Sequence, residues 1–195
     1  MSQPDLISLA RRGDGAAWET LMREHQQAVF RLAYLLLGDA DEAEDVAQET
    51  FIRAYRALER FDASRPLRPW LCRIASNLAS NQRRSLGRYF GALQRLVLLD
   101  PEAGARARGE QPDAESASKP SPEEAHSLWQ AVRRLSQPDQ EIIYLRYFLD
   151  LSEAEAATAL EVPPGTVKSR THRALGRLRA VVEREFPTLR ESLEE

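Results

Sequence analysis

The chain reads as all-α: two small helical domains joined by a flexible linker, the second containing a helix-turn-helix. Three observations predict this. Apolar residues recur at three- and four-residue steps through most of the chain, and no segment reads as a strand or an internal repeat. From 100 to 122 the sequence is dominated by Gly, Ala, Pro, Ser, Glu and Arg, the composition of a poorly ordered connector. Near the C-terminal end, LSEAEAATALEVPPGTVKSRTHRALGRLR (151–179) sets two short helical patterns around a proline-glycine break.

In chain order, Asp14 caps a helix whose inward residues are Trp18, Leu21, Met22, His25, Val29, Leu32, Ala33 and Leu36, and Gly38-Asp39 ends it. The next helix, 41 to about 60, buries Ala43, Val46, Ala47, Phe51, Ala54, Tyr55 and Leu58. A loop from 61 to 69 has Pro66 and Pro69 as breaks. A third helix runs from Leu67 or Trp70 to about Gly87, with Trp70, Leu71, Ile74, Ala75 and Leu78 inward. YFGALQRLVLL (89–99) is too apolar for a free linker and has the pattern of a docked helix. After Pro122 come helices over 123–135 and 138–149, then the helix-turn-helix. The expected division is 1–87 for the first domain, 88–122 for the linker and 123–195 for the second domain.

Within the helix-turn-helix, Ser152 and Glu155 make a Ser-x-x-Glu capping box, and Ala156, Ala157 and Leu160 form a small apolar face. Val162-Pro163-Pro164-Gly165 breaks the first helix. On the second, Val167, Thr171, Ala174 and Leu178 share one face, which leaves Lys168, His172, Arg173 and Arg177 outside it. A small-residue inner side with a cationic outer side suits a recognition helix lying in a DNA groove.

Composition sets bounds. The 195 residues allow one or two small domains, 43% hydrophobic content is enough for real cores, and 29% charged content suits a soluble protein. The single cysteine, Cys72, excludes a disulfide framework and a paired-cysteine zinc site; it is expected in the core. Three scattered histidines offer no metal-ligand spacing, and no cofactor is implied. The opening MSQPDLISLARRGD has no signal-peptide apolar region, and no apolar run approaches the roughly 20 residues of a membrane span, so a cytoplasmic location is expected.

Charge is distributed unevenly. From 139 to 161 six acids face one base, and from 162 to 182 five bases face no acid, a swing that the overall net charge of −3 conceals. Residues 1–57 carry ten acids and six bases, whereas 58–90 carry seven arginines against Glu59 and Asp62. Asp41, Asp45 and Glu49 recur every four residues and so form one helical stripe, which suits a basic partner. Phe61, Trp70, Tyr89 and Phe90 lie among the arginines, the mixture that holds single-stranded nucleic acid by backbone charge and base stacking; the other reading of Phe61 and Trp70 is that they are core.

With these residues in view the chain resembles the extracytoplasmic-function group of bacterial sigma factors. DEAEDVAQETFIRAYRAL (41–58) and RFDASRPLRPWLCRIASNLASNQRR (60–84) resemble the first sigma domain, which opens and reads the minus-ten element. LSQPDQEIIYLRYFLDLSEAEAATAL (135–160) and VPPGTVKSRTHRALGRLR (162–179) resemble the domain that reads the minus-thirty-five element. The resemblance implies an alternative sigma factor, a non-catalytic specificity subunit of RNA polymerase. It implies that Asp41, Asp45, Gln48 and Glu49 dock on the coiled-coil clamp of the polymerase largest subunit. The loop 61–68, with Phe61, Asp62, Ala63, Ser64 and Arg65, would receive a flipped minus-ten base, with Asn77 near that pocket and Arg53, Arg73, Arg83 and Arg84 on backbone phosphates. Lys168, Ser169, Arg170, His172, Arg173 and Arg177 would meet the minus-thirty-five element: Arg173 suits bidentate reading of guanine, Lys168 a phosphate, and Arg170, Arg177 and Arg179 phosphates or solvent. The implied partners are core RNA polymerase, through its clamp and flap regions, promoter DNA, and an anti-sigma factor that holds the chain inactive.

The chain departs from the family pattern at Thr171, where a large apolar residue is usual, and at Glu153 and Ala156 in the preceding helix. The residues alone leave two other readings open. One is an autonomous, dimeric helix-turn-helix regulator, which leaves the acidic stripe and the arginine-rich segment without a use. The other is an enzyme such as a nuclease, which needs a convergent carboxylate or histidine cluster.

Overall fold

The computed structural model describes residues 2–97 and 122–186, with side chains described over 2–84 and 126–186. Every regular element among the described residues is helical. The chain divides into two compact units, Met1–Glu110 and Gln111–Glu195.

The first unit opens with α1 (Gln3–Arg11), which the apolar spacing alone does not announce. Ser2 and Asp5 form a capping box, with the Ser2 N–H donating to Asp5 at 3.0 Å, and Leu6, Ile7 and Ala10 are buried. The next helix, α2 (Gly15–Leu37), begins as expected at Asp14, whose Oδ1 accepts the N–H groups of Ala16 and Ala17 at 3.0 and 3.1 Å. It stops at Gly38, which takes φ 81° and donates its N–H back to Tyr34 at 2.7 Å, a conformation costly for any residue with a Cβ. Asp39 then caps α3 (Ala40–Ala57) by accepting the Glu42 N–H at 2.9 Å.

A single 3₁₀ turn (Leu58–Arg60) and a short loop lead to α4 (Leu67–Val97). Pro69 does not break this helix. It sits in the first turn, where an N–H has no helical acceptor to lose. Nor does the helix stop near Gly87: its backbone stays helical through 88–97. The rest of the expected linker, apart from Pro122, lies outside the described residues.

Within this unit α2 packs on α1, α3 and α4, and α3 packs on α4. The core includes Leu21, Leu32, Leu36, Val46, Phe51, Leu58, Leu67, Leu71 and Cys72, all buried. One expected core residue is elsewhere: Tyr55 is 48% exposed.

The second unit contains α5 (Pro122–Arg133), α6 (Gln137–Ile143), α7 (Glu153–Leu160) and α8 (Pro164–Glu185). Gln140 is buried between the first two of these, and its amide donates to the carbonyls of Arg133 and Leu135 at 3.1 and 2.8 Å, closing the end of α5. The helix expected over 138–149 changes pitch midway. Residues Tyr144–Phe148 wind as a π turn, with Leu149 N–H donating to the Tyr144 carbonyl at 3.0 Å and Arg146 donating from its guanidinium to the Leu151 carbonyl. That turn delivers the chain to Ser152, where the capping box forms: Glu155 N–H to Ser152 Oγ at 3.2 Å, Ser152 N–H to Glu155 at 2.8 Å. After α7, Glu161 adopts φ 54° and the chain re-enters helix at Pro164. The last helix packs on α5, α6 and α7, with Val167, Ala174, Val181 and Val182 buried.

Candidate functional site

The first group of expected residues lies on α3, whose inner face is spent on Ala43, Val46, Ala47, Thr50, Phe51 and Ala54. Asp41, Asp45 and Gln48 are exposed and Glu49 is half-buried, so the acidic stripe faces outward. It is not uniformly free. Glu49 accepts from Arg53 Nε at 2.7 Å, so the expected polymerase contact and the expected phosphate contact hold each other. Gln48 donates to Glu44 at 3.4 Å. The crowding has an electrostatic signature at Glu42: burial first, then Asp39 and Asp45, push its carboxyl above the ordinary carboxylate value.

Beside the stripe, α2 and α3 leave an apolar groove lined by Trp18, Met22, Phe30, Phe51, Ile52 and Tyr55, with Glu44 and Gln48 among its lining residues. Trp18 meets Phe51 edge-on and Tyr55 at a tilt, with ring centroids 6.3 and 5.2 Å apart. Ile52 and Tyr55 are nearly half exposed, at 45% and 48%. Helical spacing assigns Tyr55 to the core because it follows Ala54 and Phe51. It lies instead at the edge where the core opens into the groove.

The second group surrounds the turn into α4. Phe61 is not presented to solvent: it is buried against Trp70, with ring centroids 4.6 Å apart. Its ring therefore forms the floor of the loop. Above it the loop is tied to itself, because Asp62 Oδ1 accepts the Ser64 N–H at 3.0 Å and the Ser64 hydroxyl at 2.7 Å, and Asp62 Oδ2 lies 3.4 Å from Arg65 Nε. These hydrogen bonds from Ser64, more than the Arg65 charge, hold the Asp62 carboxyl below its ordinary value. Ala63 is half-buried, and Ser64 and Arg65 are exposed.

Along α4, Arg73, Asn77 and Arg84 are spaced four and seven residues apart and share a stripe. Asn77 and Arg84 are exposed, while Arg73 and Arg83 are half-buried. Arg84 bonds Asn81 at 2.9 Å. The side chains of Tyr89 and Phe90 lie outside the described residues.

A residue that the spacing leaves out fastens this loop. Arg11, at the end of α1, donates from Nε to the Leu58 carbonyl at 3.0 Å and from Nη2 to the Phe61 carbonyl. In the sequence it is one of two adjacent arginines, with no local sign of a partner nearly fifty positions away.

The third group is on α8. Lys168, Ser169, His172 and Arg173 are exposed on the side away from Val167 and Ala174, and Arg170 is half-buried. Ser169 Oγ donates to the Thr166 carbonyl at 3.1 Å, and Arg173 Nε to the Ser169 carbonyl at 3.2 Å, so both are held against their own helix. Arg177 does not belong with them. Its Nη1 lies 2.7 Å from both carboxylate oxygens of Asp139, a buried residue that also accepts the Ser136 hydroxyl at 2.6 Å. The pair ties α8 to α6. Arg179 is spent on Glu183 at 2.8 Å. At Thr171, the departure from the family pattern, the hydroxyl is buried without a hydrogen-bond partner.

Among the described residues no group of three or more His, Cys, Asp or Glu side chains is placed to hold a metal ion, and no helix is long and apolar enough to cross a membrane.

Comparison with known proteins gives the same two regions in the same order. Residues 21–89 match Sigma-70 region 2, and residues 125–178 match Sigma-70 region 4. The chain is 32% identical over 181 residues to the ECF RNA polymerase sigma factor SigW of Bacillus subtilis, covering 89% of this chain and 92% of that protein. It is 33% identical over 178 residues to the ECF RNA polymerase sigma factor SigL of Mycobacterium tuberculosis, covering 91% of this chain and 95% of that protein. Among solved structures, CnrH in complex with the cytosolic domain of CnrY aligns with a TM-score of 0.67 at 26% identity, over 94% of this chain and 98% of that one. RpoE of Bartonella quintana, in complex with the anti-sigma factor NepR, aligns with a TM-score of 0.63 at 25% identity, over 86% and 97%.

Proposed function

The chain belongs to the extracytoplasmic-function sigma factors of the sigma-70 family, and we propose that its two charged faces divide the work of promoter recognition. The observation that carries this reading is their opposition: an exposed acidic stripe on α3 in one matched region, an exposed cationic face on α8 in the other. Asp41, Asp45, Gln48 and Glu49 meet the basic clamp of core polymerase, with Tyr55 and Ile52 in the adjoining groove adding apolar contact. Charge steers the approach and excludes wrong partners, and buried aromatic area supplies the hold.

The loop over 61–66 and the Arg73, Asn77, Arg84 stripe take the melted minus-ten strand. Here Asp62 and Ser64 shape the loop, Arg65 faces the strand, Phe61 supports it from below, and Arg53 and Arg83 add charge nearby. Lys168, Ser169, Arg170, His172 and Arg173 enter the minus-thirty-five major groove. The division of labour follows 1–87, 88–122 and 123–195 as first domain, linker and second domain. The chain does no chemistry itself; it positions the polymerase and traps opened DNA in the cytoplasm. An anti-sigma factor, of the kind bound to RpoE in the Bartonella structure, holds it inactive by covering these same faces.

Mixing the purified chain with core RNA polymerase tests the reading by native gel shift and run-off transcription on a genomic promoter library. Wild type forms holoenzyme, and the double variant Asp45→Arg, Glu49→Arg loses it by at least about tenfold in affinity, as expected when two steering charges are reversed. A chain that ignores core yet binds duplex DNA alone is an independent regulator instead.

A further inference from the structure

We propose that Arg11 is the positioning residue that preforms the loop over 61–66 for capture of the minus-ten base. The inference rests on the assignment of that loop to the minus-ten strand. Its physical basis is a clamp made from α1, an element outside the charged segments so far given a role. Arg11 donates from Nε to the Leu58 carbonyl at 3.0 Å and from Nη2 to the Phe61 carbonyl. Leu58 and Phe61 are the two ends of the 3₁₀ turn, since the Phe61 N–H donates to the Leu58 carbonyl at 3.1 Å. One planar guanidinium therefore holds both ends of the turn that launches the loop. Among the described residues Arg11 makes no ion pair, so its fork is given to backbone.

Farther along, Gln3 Nε2 donates to the Arg65 carbonyl at 3.4 Å, a second tie from the same helix. Between these anchors the Phe61 ring is fixed on Trp70, and Asp62 closes on Ser64. The loop is thus bound at its start, near its end and across its middle before any DNA arrives.

Such binding has a use. Extracting a base from the stack already costs free energy, and a loop that had to be ordered at the same moment would add its own conformational entropy to that cost. A guanidinium suits the task because it presents several donors in one rigid plane. Lysine offers a point charge that bonds one carbonyl well and cannot hold the second in a fixed relation.

The test uses holoenzyme assembled with wild type, Arg11→Met or Arg11→Lys, and a single-stranded minus-ten oligonucleotide from a promoter selected by the wild-type enzyme, carrying 2-aminopurine at the captured position. Arg11→Met keeps an apolar stem and removes the donors. It should form holoenzyme as wild type does, yet bind the oligonucleotide about tenfold more weakly, the loss expected for charge-assisted hydrogen bonds. Arg11→Lys should recover part of that loss. The clamp is overturned if Arg11→Met binds the oligonucleotide as wild type does. It is equally overturned if both variants lose core binding in parallel with oligonucleotide binding, because Arg11 is then scaffolding only. The double variant Asp62→Ala, Arg65→Ala separates the two levels of the inference. If it too retains full capture, the loop assignment fails and takes the clamp with it; if it loses capture while Arg11→Met keeps it, the loop stands and only the clamp falls.

Discussion

Arg177 shows how much a residue's role depends on a neighbour that spacing cannot see. On a helical wheel it lies outside the Val167, Thr171, Ala174 stripe, beside the cations proposed to read DNA. Its carboxylate partner, Asp139, comes from α6, 38 positions earlier, and is buried. Removing the guanidinium leaves that carboxylate with the Ser136 hydroxyl but no counter-charge. Because Arg177 is itself 57% exposed, the penalty is well below that of a fully buried pair. Arg177→Ala should lower the unfolding free energy by about 1–2 kcal/mol, discounted for solvent, as read by urea denaturation. Arg173→Ala should leave the urea midpoint within about 0.5 kcal/mol of wild type and weaken promoter binding instead. Equal stability losses in the two variants would return Arg177 to the DNA-facing set. Phe61 and Arg11 follow the same rule. The Phe61 ring was legible as either core or a stacking surface, and only its packing on Trp70 decides for the core; the arginine was visible without its carbonyl partners.

At the scale of elements, most helices were legible because their ends carry local chemistry. Asp14 and Ser152 cap the helices whose starts they announce, Gly38 closes α2, and Val162 and Pro163 fall between α7 and α8, whereas Asp39, read as part of a helix end, caps the start of α3. Local signals fail where the cause is not local. The first helix, α1, is short and carries a proline in its first turn, so its capping box is easily read as a tail. The π turn over Tyr144–Phe148 depends on an extra residue accommodated by tertiary packing, which apolar periodicity does not register. The acidic stripe of α3 was legible as a stripe, but not what it costs the fold. Glu42 carries part of that cost. Burial, Asp39 and Asp45 raise its folded-state carboxyl value above the ordinary 4.5. A raised carboxylate opposes folding above its folded-state value; the penalty fades as pH falls through that value and is gone below 4.5, where folded and unfolded chains are both protonated. Glu42→Gln should therefore stabilise the chain at neutral pH by a few tenths of a kcal/mol, reduced by solvent screening. The gain should disappear in acid. Matched urea titrations at neutral pH and below pH 4.5 would show it, and a gain that persisted in acid would assign the effect to something other than this carboxyl.

Across the whole molecule the net charge of −3 is a poor guide, because it averages two fields of opposite sign. Residues 1–57 hold ten acids against six bases, while 162–182 hold five bases and no acid. A uniformly basic chain of this size would coat DNA without regard to sequence. On the proposed reading the acids repel the phosphate backbone and suit a basic protein, so DNA contact falls to α8 and to the arginines in and around the loop. The two fields should then be separable by salt. Each cation that meets a phosphate releases a counterion, so removing one such cation should reduce the magnitude of the slope of log affinity against log salt by about 1. Lys168, exposed and in no ion pair among the described residues, is the cleanest candidate on α8. Holoenzyme carrying Lys168→Ala should lose affinity for all minus-thirty-five sequences alike, with that reduced slope. Arg173→Ala should instead relax the choice among sequences, since a guanidinium reading a base edge discriminates by about 1–3 kcal/mol. Asp45→Arg with Glu49→Arg should leave the promoter slope of whatever holoenzyme still forms unchanged, if those residues face protein as proposed. If Lys168→Ala leaves the slope untouched, the cationic face of α8 is not on phosphates, and the recognition helix reads DNA in another orientation.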